Sequence, residues 1–422
     1  MLSAPKPMTA NVVAVTGLGV VSGLGTGIPS FTANLRAGRS AIRTVPNPIT
    51  PVRSPLPQID TDHIADTMDD AGRTRMQRVI YQAPSAAAAA VVAAAEAATD
   101  AKLTEVDPGR IGVVVAGSNL TNRLEQNAVL RYRAGQRVLP RHAVQMFDSD
   151  IAASVCETLG LFGEAWTAGA ASASSAYAIA LASRPIRTGE LDAVVVVAAP
   201  SLLTDADLSA FAALGALYRG SVPEAGTLAT SAWCRPFDQH AAGFVYGEAA
   251  AAVVLESTRA ATGRGISIHG YIRGSALRSS ATRSPAPDAD TEAAVMTAAI
   301  HAAQLTPNDV DLINAHATSS RVGDRAEADA ITRVFPKAAA TPRINAIKAL
   351  TGHCLTAAGM IGAVGTLIQL EQGWLHPNPH LANPIVDLSW VGPKAETWSG
   401  ACALSNSFGF GGMYASIVLT VA

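Results

Sequence analysis

The sequence has little charge, few cysteines and no metal-binding spacing. Of its 422 residues, 15% are charged and the formal net charge is −2, which with the lack of a basic tract excludes a typical nucleic-acid-binding surface. The cysteines form no CxxC pair, so neither a zinc site nor a disulfide framework is expected. Scattered thiols are typical of a reducing cytoplasm. The four cysteines are Cys156, Cys234, Cys354 and Cys402.

No segment is predicted to enter a membrane or to direct export. The first ten residues are polar, contain proline and lack the apolar core of a signal peptide. The longest apolar run, AAAAAVVAAA at 86–95, is mostly alanine and too short to span a bilayer. We therefore expect a cytoplasmic protein without membrane contact, in which 86–95 forms a buried helix packed closely against its neighbours.

Apolar residues are abundant, at 49% of the chain, and suffice for a large core. Short runs rich in β-branched residues and bounded by breakers predict strands buried on both faces, at 11–22, 110–118, 191–200 and 249–257. Alanine-rich stretches predict helices at 76–101 and 174–188. This alternation predicts an α/β fold with covered sheets.

The alternation falls into two halves that meet near residue 260. A polar, glycine-containing connection is predicted at 258–266, after which the rhythm resumes with a helix over 290–304 and a strand over 310–315. The segment 276–290 is the best loop candidate. We therefore predict domains at 1–260 and 261–422.

The glycines at 17–27, GLGVVSGLGTG, do not form a nucleotide-binding motif. Ser22 stands where GxGxxG requires its third glycine, and no acidic residue follows at the expected distance. A glycine turn at the end of the first strand is the favoured interpretation. Since GxxxxGK[ST] is also absent, a P-loop enzyme is disfavoured.

Small residues surround Ser172 in TAGAASASSAYAIALA, between a predicted strand end and a predicted helix. A helix N-terminus there would place residue 172 at the positive end of the helix dipole, near backbone N–H groups that can hold an oxyanion. A serine among alanines is more often structural. His316 and His353 also lie at strand-to-helix corners, where α/β sheets present ligand sites, although a lone histidine is more often structural too.

Two further features stand near these corners. Lys348 lies five residues before His353 and is either an orienting charge or a surface lysine. The glycine-rich segment SNSFGFGGMYASIVL at 405–419 holds Phe408 and Phe410, which are either core residues or a gate on a glycine hinge.

Taken together, five segments resemble the β-ketoacyl-[acyl carrier protein] synthases of the thiolase superfamily. They are VAVTGLGVVS, RPFDQHAAGFVYGEA, NAHATSSRVGDRAEADAI, INAIKALTGHCLTAAG and ALSNSFGFGG, in the family's order along nearly the whole chain. The resemblance implies a duplicated, five-layer α-β-α-β-α fold and a homodimer or related heterodimer. It also implies substrates carried as thioesters on the phosphopantetheine arm of an acyl carrier protein, with no cofactor or metal of the enzyme's own.

The resemblance also implies roles for single residues. Ser172 takes the position of the family's nucleophilic cysteine, and His316 and His353 match its two histidines, in motifs that read HAT and TGH here. The other matches are Lys348 as the lysine of the site, Thr318 and Ser320 as hydroxyls that contact the arm, Phe410 as the gating phenylalanine with Phe408 beside it, and Glu327 as the acid of the DxxEA segment.

The sequence departs from the family pattern at several positions. Serine replaces cysteine at 172, Ala317 replaces a glycine, GEAAA stands for GEGAG, and Tyr414 replaces a common asparagine. A helix N-terminus can generate a thiolate near neutral pH but cannot generate an alkoxide, so a serine needs an adjacent general base. Condensation is therefore expected to be lost.

Decarboxylation needs no such nucleophile, because it requires only stabilisation of negative charge on the thioester oxygen. Two neutral imidazoles that each donate an N–H would supply this. We therefore predict a ketosynthase-like decarboxylase that converts malonyl-carrier protein to acetyl-carrier protein. Serine-for-cysteine members of the family occur in polyketide β-branching cassettes, beside an enzyme that resembles HMG-CoA synthase.

Three alternatives remain open from the sequence. The first is a non-catalytic partner subunit like a chain-length factor, although such subunits tend to lose both histidines. The second is an acyltransferase or condensing enzyme that uses Ser172 as a nucleophile with His316 as its base. The third is an ordinary synthase with an engineered cysteine-to-serine change at 172.

Overall fold

A computed structural model describes residues 12–59, 61–218, 233–336 and 342–422. Its strands are β1 Val13–Ser22, β2 Gly25–Thr26, β3 Arg43–Thr44, β4 Val52–Arg53, β5 Ile111–Ala116, β6 Ala165–Ala168, β7 Ala193–Ala198, β8 Ala249–Ser257, β9 Gly270–Ser279, β10 Leu312–Asn314, β11 Arg343–Asn345, β12 Trp374–Leu375, β13 Glu396–Thr397, β14 Cys402–Gly409 and β15 Met413–Thr420. Its helices are α1 Ile28–Arg36, α2 Asp62–Ala65, α3 Asp70–Gln82, α4 Ser85–Asp100, α5 Asn122–Arg133, α6 His142–Gln145, α7 Ser149–Leu159, α8 Ser174–Thr188, α9 Asp205–Leu214, α10 Thr258–Arg264, α11 Ala289–Ala302, α12 Arg321–Val334, α13 Lys348–Thr351 and α14 Ala358–Gln372.

The main sheet is built from two halves with mirrored strand order. Its path runs β6-β5-β7-β8-β1 and then β9-β15-β14-β10-β11. From either edge, the strands are at first parallel and then antiparallel, and β1 pairs with β9 where the halves meet. The repeated order is the internal duplication that the resemblance implied.

Helices cover both halves of the sheet and fill the space between them. Helices α4 and α7 pack on the first half, and α11 and α12 lie against the second. Helices α8 and α14 contact each other and strands of both halves, so they form the middle layer. The fold is therefore a mixed α/β architecture of five layers, α-β-α-β-α, as predicted.

Close packing of α4 on β1 explains two features of the sequence. A Cβ atom at Gly17 or Gly19 would lie 2.0 Å from the carbonyl oxygen of Ala97 or Ala93, respectively. Only glycine lets the strand lie so near the helix backbone. Gly17 and Gly19 lie inside β1, and the predicted glycine turn at the end of the first strand is the turn at Gly23 and Leu24. The predicted burial of 86–95 is also confirmed.

Proline explains why another predicted element differs from the structure. The single helix predicted over 76–101 is two helices, because Pro84 separates α3 from α4. Proline lacks an N–H, and the residue before it disfavours the helical conformation. By contrast, β8 and α8 have the predicted bounds of 249–257 and 174–188.

Two predicted connections are shorter than expected. The segment 258–266 contains α10, which ends at Gly265 in a left-handed conformation. Strand β9 continues to Ser279 because it pairs with β15 along that length, so the loop predicted from 276 begins later.

None of the helices in the described ranges has the length and hydropathy needed to cross a bilayer.

Candidate active site

A cavity of about 760 Å³ lies where segments following several parallel strands converge. Parallel strands present ligand sites beyond their carboxyl ends. Ser172 follows β6, His316 follows β10 and His353 follows β11, so residues far apart in sequence meet in one place. The predicted site residues that line the cavity are Ser172, His316, Thr318, Ser320, Glu327, His353, Phe408 and Phe410.

Ser172 occupies a tight turn rather than the helix itself. A 3₁₀ turn, Ala171–Ala173, separates β6 from α8, and Ala171 has a φ of +48°. The turn is pressed against β14, since a Cβ on Gly409 would lie 2.5 Å from the carbonyl oxygen of Ala170. This packing directs Ser172 Oγ to within 2.9 Å of His353 Nε2.

Glu327 holds the turn that carries His316. Its two carboxylate oxygens accept hydrogen bonds from the backbone N–H groups of His316 and Ala317, each at 2.7 Å. Ala317 has a φ of +34°, a conformation that glycine adopts without strain and alanine does not. The carboxylate therefore stabilises a strained turn at the position where the family pattern has glycine.

His353 is fixed through its backbone and its ring. Its N–H donates to the carbonyl of Val245 at 2.7 Å, just after Gly352 turns the chain with a φ of +67°. Its ring meets Phe244 edge-on, with centroids 5.3 Å apart. The centroid of the His316 ring lies 5.6 Å away at an interplanar angle of 87°, so the two imidazoles meet edge-to-face in the cavity wall.

Both imidazoles are held in the neutral state. Burial lowers the pKa of His316 and of His353 well below the ordinary value of 6.5, and the nearby charge of Lys348 lowers both further. Lys348 is 3% exposed and donates a hydrogen bond to the carbonyl oxygen of His316, behind the cavity wall. Burial lowers its own pKa to about 8, against the opposing influence of Glu327.

The glycine-rich segment places one phenylalanine inside the protein and one at the cavity mouth. Phe408 is 8% exposed and lies 5.5 Å from the His316 ring, whereas Phe410 is 43% exposed. Gly411 and Gly412 follow with φ values of +81° and +75°. The exposed ring therefore stands beside a stretch of backbone that only glycine readily adopts.

The two predicted arm-contacting hydroxyls have different surroundings. Thr318 and Ser320 both line the cavity. Ser320 is also the N-cap of α12, where its Oγ accepts a hydrogen bond from Gly323 N at 3.4 Å.

Sequence reasoning missed several polar residues of this site. Asn406 donates to Glu327 at 3.1 Å and accepts from Ser416 at 2.8 Å, which links the His316 turn to β14 and β15. Asp324 accepts from the backbone of Phe237 at 2.7 Å. Glu292 lines the cavity although it belongs to none of the resembling segments. The sequence feature that could have identified Glu292 is its position on the apolar face of α11, beside Val295.

The walls of the cavity carry no fixed positive charge. Within the described part of the chain, no lysine or arginine lines it, and its histidines are neutral. Across the same residues, no group of His, Cys, Asp and Glu side chains has the arrangement of a metal site. An anionic ligand group would therefore meet no cation among the described lining residues, which include the acidic side chains of Asp207 and Glu327.

Comparison with known proteins shows the family of this chain. Residues 10–261 match the family description "Beta-ketoacyl synthase, N-terminal domain", and residues 269–382 match "Beta-ketoacyl synthase, C-terminal domain". The chain belongs to the β-ketoacyl synthase family. This β-ketoacyl synthase homologue is 33% identical over 412 residues, 96% of each chain, to "Polyketide biosynthesis malonyl-ACP decarboxylase PksF" of Bacillus subtilis (strain 168). It is 31% identical, over 96% of each chain, to the "Tetracenomycin polyketide synthase ketoacyl synthase alpha subunit" of Streptomyces glaucescens.

Solved structures of β-ketoacyl synthases share its fold. "The ishigamide ketosynthase/chain length factor" superposes with a TM-score of 0.84 at 28% identity, covering 98% of this chain and 100% of that one. A "Beta-ketoacyl synthase from Burkholderia phymatum STM815" superposes with a TM-score of 0.83 at 28% identity, covering 97% and 99%. These likenesses extend over nearly the full length of this β-ketoacyl synthase homologue.

Proposed function

We propose that this protein decarboxylates malonyl-acyl carrier protein to acetyl-acyl carrier protein in polyketide biosynthesis. The observation that carries the proposal is the pair of neutral imidazoles beside one cavity that also holds a serine and, among the described lining residues, no cation. The similarity to a malonyl-ACP decarboxylase supports it. A β-branching cassette is the pathway type that we infer from the serine.

The reaction has two requirements. The enolate must be stabilised, and C2 must then receive a proton. Cleavage of the bond between the malonyl carboxylate and C2 releases CO2 and leaves its electron pair in the thioester enolate. The N–H groups of His316 and His353 donate to the enolate oxygen, and water protonates C2 to give the acetyl group. One preorganised donor of this kind contributes about 3–4 kcal/mol to barrier lowering.

The lack of cations in the cavity wall favours the same reaction. A lysine or arginine would pair with the malonyl carboxylate and stabilise it before the C–C bond breaks. Here the described cavity wall offers the carboxylate apolar groups such as Phe408 and no cation, whereas the charge that develops on the thioester oxygen meets two N–H donors. The site thus stabilises the transition state more than the bound substrate.

Ser172 is a second candidate for chemistry, because its Oγ lies 2.9 Å from His353 Nε2. In hydrolases that use a serine, the base becomes an imidazolium that a carboxylate stabilises through Nδ1. Within the described residues His353 Nδ1 is buried and has no hydrogen-bond partner, and the charge of Lys348 disfavours an imidazolium. We infer that Ser172 orients His353 and the thioester and does not become acylated.

The family relationship supplies the remaining parts of the proposal. We propose an acyl carrier protein as partner, with the substrate on its phosphopantetheine arm and Thr318 and Ser320 beside that arm. One related structure is titled as a "type II PKS acyl-carrier protein in complex with its ketosynthase". We propose a homodimer, with a ketosynthase heterodimer as the alternative, and no cofactor belonging to the enzyme itself.

Incubation with malonyl-loaded carrier protein, followed by mass measurement of the arm, tests the proposal. We expect conversion of malonyl to acetyl groups with release of CO2, and an arm that stays malonylated would refute decarboxylation. The Ser172→Ala variant tests whether Ser172 orients His353 or acts as a nucleophile. If Ser172 only orients His353, the variant should keep at least a tenth of the rate, whereas loss of an essential nucleophile should abolish activity. A stable acyl adduct on Ser172 in the wild-type protein would establish the nucleophile instead.

A further inference from the structure

Glu292 is a carboxyl group in the cavity wall that the proposed mechanism does not use. It lies in the first turns of α11 on the same face as Val295, Met296 and Ala299, which are buried. Glu292 is itself 2% exposed and lines the cavity that holds Ser172 and His316. Glutamate in an apolar stripe is rare, because burial of a polar group costs free energy unless a partner compensates.

No partner within the protein compensates Glu292. Among the described residues no hydrogen bond or ion pair to its side chain is found, and Oε2 is fully buried without a partner. An unpaired buried polar atom loses its hydrogen bonds to water without replacement, so such atoms are uncommon in proteins. Since Glu292 lies in the wall of a cavity, a bound ligand can supply the missing hydrogen bonds.

The surroundings hold Glu292 as an uncharged acid. Burial raises its pKa to about 10, and the nearby carboxylates of Glu327, Asp288 and Asp324 raise it further. From β15, the neighbouring Tyr414 presents a phenol whose own pKa is raised, mainly by burial. Near neutral pH Glu292 therefore presents an O–H donor beside a carbonyl acceptor.

A neutral carboxylic acid carries a hydrogen-bond donor, its O–H, beside an acceptor, its carbonyl oxygen. The N–H and C=O of a trans secondary amide point in opposite directions, so one carboxyl group bonds only one of them. The O–H of a neutral acid is suited to donate to the amide carbonyl oxygen. The phosphopantetheine arm of the proposed substrate contains two secondary amides. Because Glu292 is almost fully enclosed, the amide that reaches it is the one nearest the thioester.

We propose that Glu292 is a substrate-positioning residue, whose carboxyl group donates a hydrogen bond to the carbonyl oxygen of the arm amide nearest the thioester. The identity of the arm rests on the proposed function. This hydrogen bond fixes the arm in the cavity that also holds His316, where Phe408 contacts the rings of both His316 and Tyr414 with centroids 5.5 Å apart. The thioester oxygen is thereby held in reach of the imidazoles.

Binding of stable pantetheine analogues tests this proposal without any turnover. One analogue carries an acetonyl thioether in place of the thioester, and a second also replaces the amide nearest sulfur with an ethylene unit. Calorimetry would compare wild type with Glu292→Gln, which keeps a donor and an acceptor, and Glu292→Leu, which keeps only the volume. Glu190→Leu, on an exposed turn, is the matched control.

We expect Glu292→Leu to bind the amide-containing analogue about tenfold more weakly, the scale of one hydrogen bond, and the amide-free analogue unchanged. Glu292→Gln should stay close to wild type. Equal binding of the amide analogue by wild type and Glu292→Leu would overturn the proposal. So would equal weakening of both analogues, or a Glu292→Gln variant as weak as Glu292→Leu. A failed decarboxylation assay would refute the proposed function and leave these binding results intact.

Discussion

At the scale of single residues, the two cavity imidazoles are held by different means. His316 is placed through its backbone, by the carboxylate of Glu327 on one side and the ammonium of Lys348 on the other. His353 is placed by a backbone bond to Val245 and by its ring contacts. Each ring therefore keeps its orientation when the other is removed, so single substitutions report on single donors.

Loss of either imidazole should reduce decarboxylation strongly. We expect His316→Ala and His353→Ala each to lower kcat by about 10²–10³, the cost of one preorganised oxyanion donor. The rate of acetyl-arm formation measures this, with exposed His301→Ala as the control. A variant that folds with the wild-type melting temperature and keeps more than a third of the rate would contradict the assigned role.

The charge of Lys348 should be visible in the titration of both histidines. Because burial and that charge hold both pKa values well below 6.5, neither ring should titrate between pH 8 and pH 6. Lys348→Met should raise both pKa values, although burial still keeps them below 6.5. Nitrogen chemical shifts of labelled histidine measure this, with exposed Lys394→Met as the control. If both histidines titrate in Lys348→Met as they do in wild type, the charge of Lys348 has no influence on their pKa values.

Resemblance to family motifs predicted most of the residues around the cavity, and the structure brings them together. The resemblance could not predict Glu292, because that residue lies outside the shared motifs and its state depends on carboxylates from another helix. The support of His316 by Glu327 and Asn406 likewise joins α12 to β14. Such contacts depend on how elements pack, which spacing along one chain does not reveal.

At the scale of elements, the turn that carries Ser172 rests on β14. A Cβ on Gly409 would meet Ala170 O at 2.5 Å and Ala173 N at 3.2 Å, so a methyl group must push the turn away. We expect Gly409→Ala to cost about 1–3 kcal/mol of unfolding free energy, as overpacking does, and to lower activity. Gly263→Ala, in α10 with open space around it, should be neutral or stabilising. Urea denaturation compares them, and equal stabilities would contradict the close contact.

His269 ties two helical layers together just before β9. Its ring lies 2.8 Å from Asp100 in α4 and 3.0 Å from Glu371 in α14. Burial lowers its pKa, but the hydrogen bonds to both carboxylates outweigh burial and raise it to about 9. Since the folded pKa exceeds the ordinary value of 6.5, the protonated ring contributes stability that is fully present below pH 6.5.

That contribution should disappear as the pH rises through about 9. We expect His269→Gln to destabilise the protein at pH 6 by at most about 3 kcal/mol, given 1.36 kcal/mol per pKa unit and partial solvent exposure. The difference from wild type should shrink toward pH 10. Urea denaturation at both pH values measures it, and a pH-independent difference would show that packing, not charge, explains the effect.

Local sequence patterns predicted the bounds of helices and strands well where the residues of the segment itself, and the residues that end it, determine those bounds. The β-branched run of β8 and the capped helix α8 have the predicted bounds. The pattern placed Gly17 and Gly19 inside a strand but did not reveal why glycine is needed there, because that need comes from a helix some 80 residues away. It failed at Pro84 because the alanine run that begins at Ala86 masked the break.

At the scale of the whole molecule, one edge of the main sheet is open. Strand β6 is a terminal strand, and the carbonyls of Glu164 and Ala168 accept hydrogen bonds from β5. The backbone N–H and C=O groups of successive residues in a strand point to opposite sides. Those of Ala165 and Thr167 therefore point away from β5, toward the unpaired side of β6. An open edge is a template for pairing with a second chain. Exposed apolar side chains nearby are Val144, Met146, Phe147 and Phe162.

If the proposed homodimer forms through this edge, removal of one outward N–H should weaken it. We expect wild type to behave as a dimer in sedimentation, and Thr167→Pro to shift toward monomer by at least tenfold in dissociation constant. Thr167→Val, which keeps the N–H, should stay dimeric. Identical dimerisation of the proline variant would place the interface elsewhere, and a monomeric wild type would refute the homodimer.

The pairing of β1 with β9 joins the two halves of the sheet, and the chemistry depends on that junction. Ser172 comes from the first half, and both histidines come from the second. Ser172 orients His353 across this junction, so a denaturant, a ligand or a mutation that shears the halves by a few ångströms lowers turnover while every helix stays wound. Catalytic rate is thus a more sensitive gauge of long-range order in this molecule than its circular dichroism.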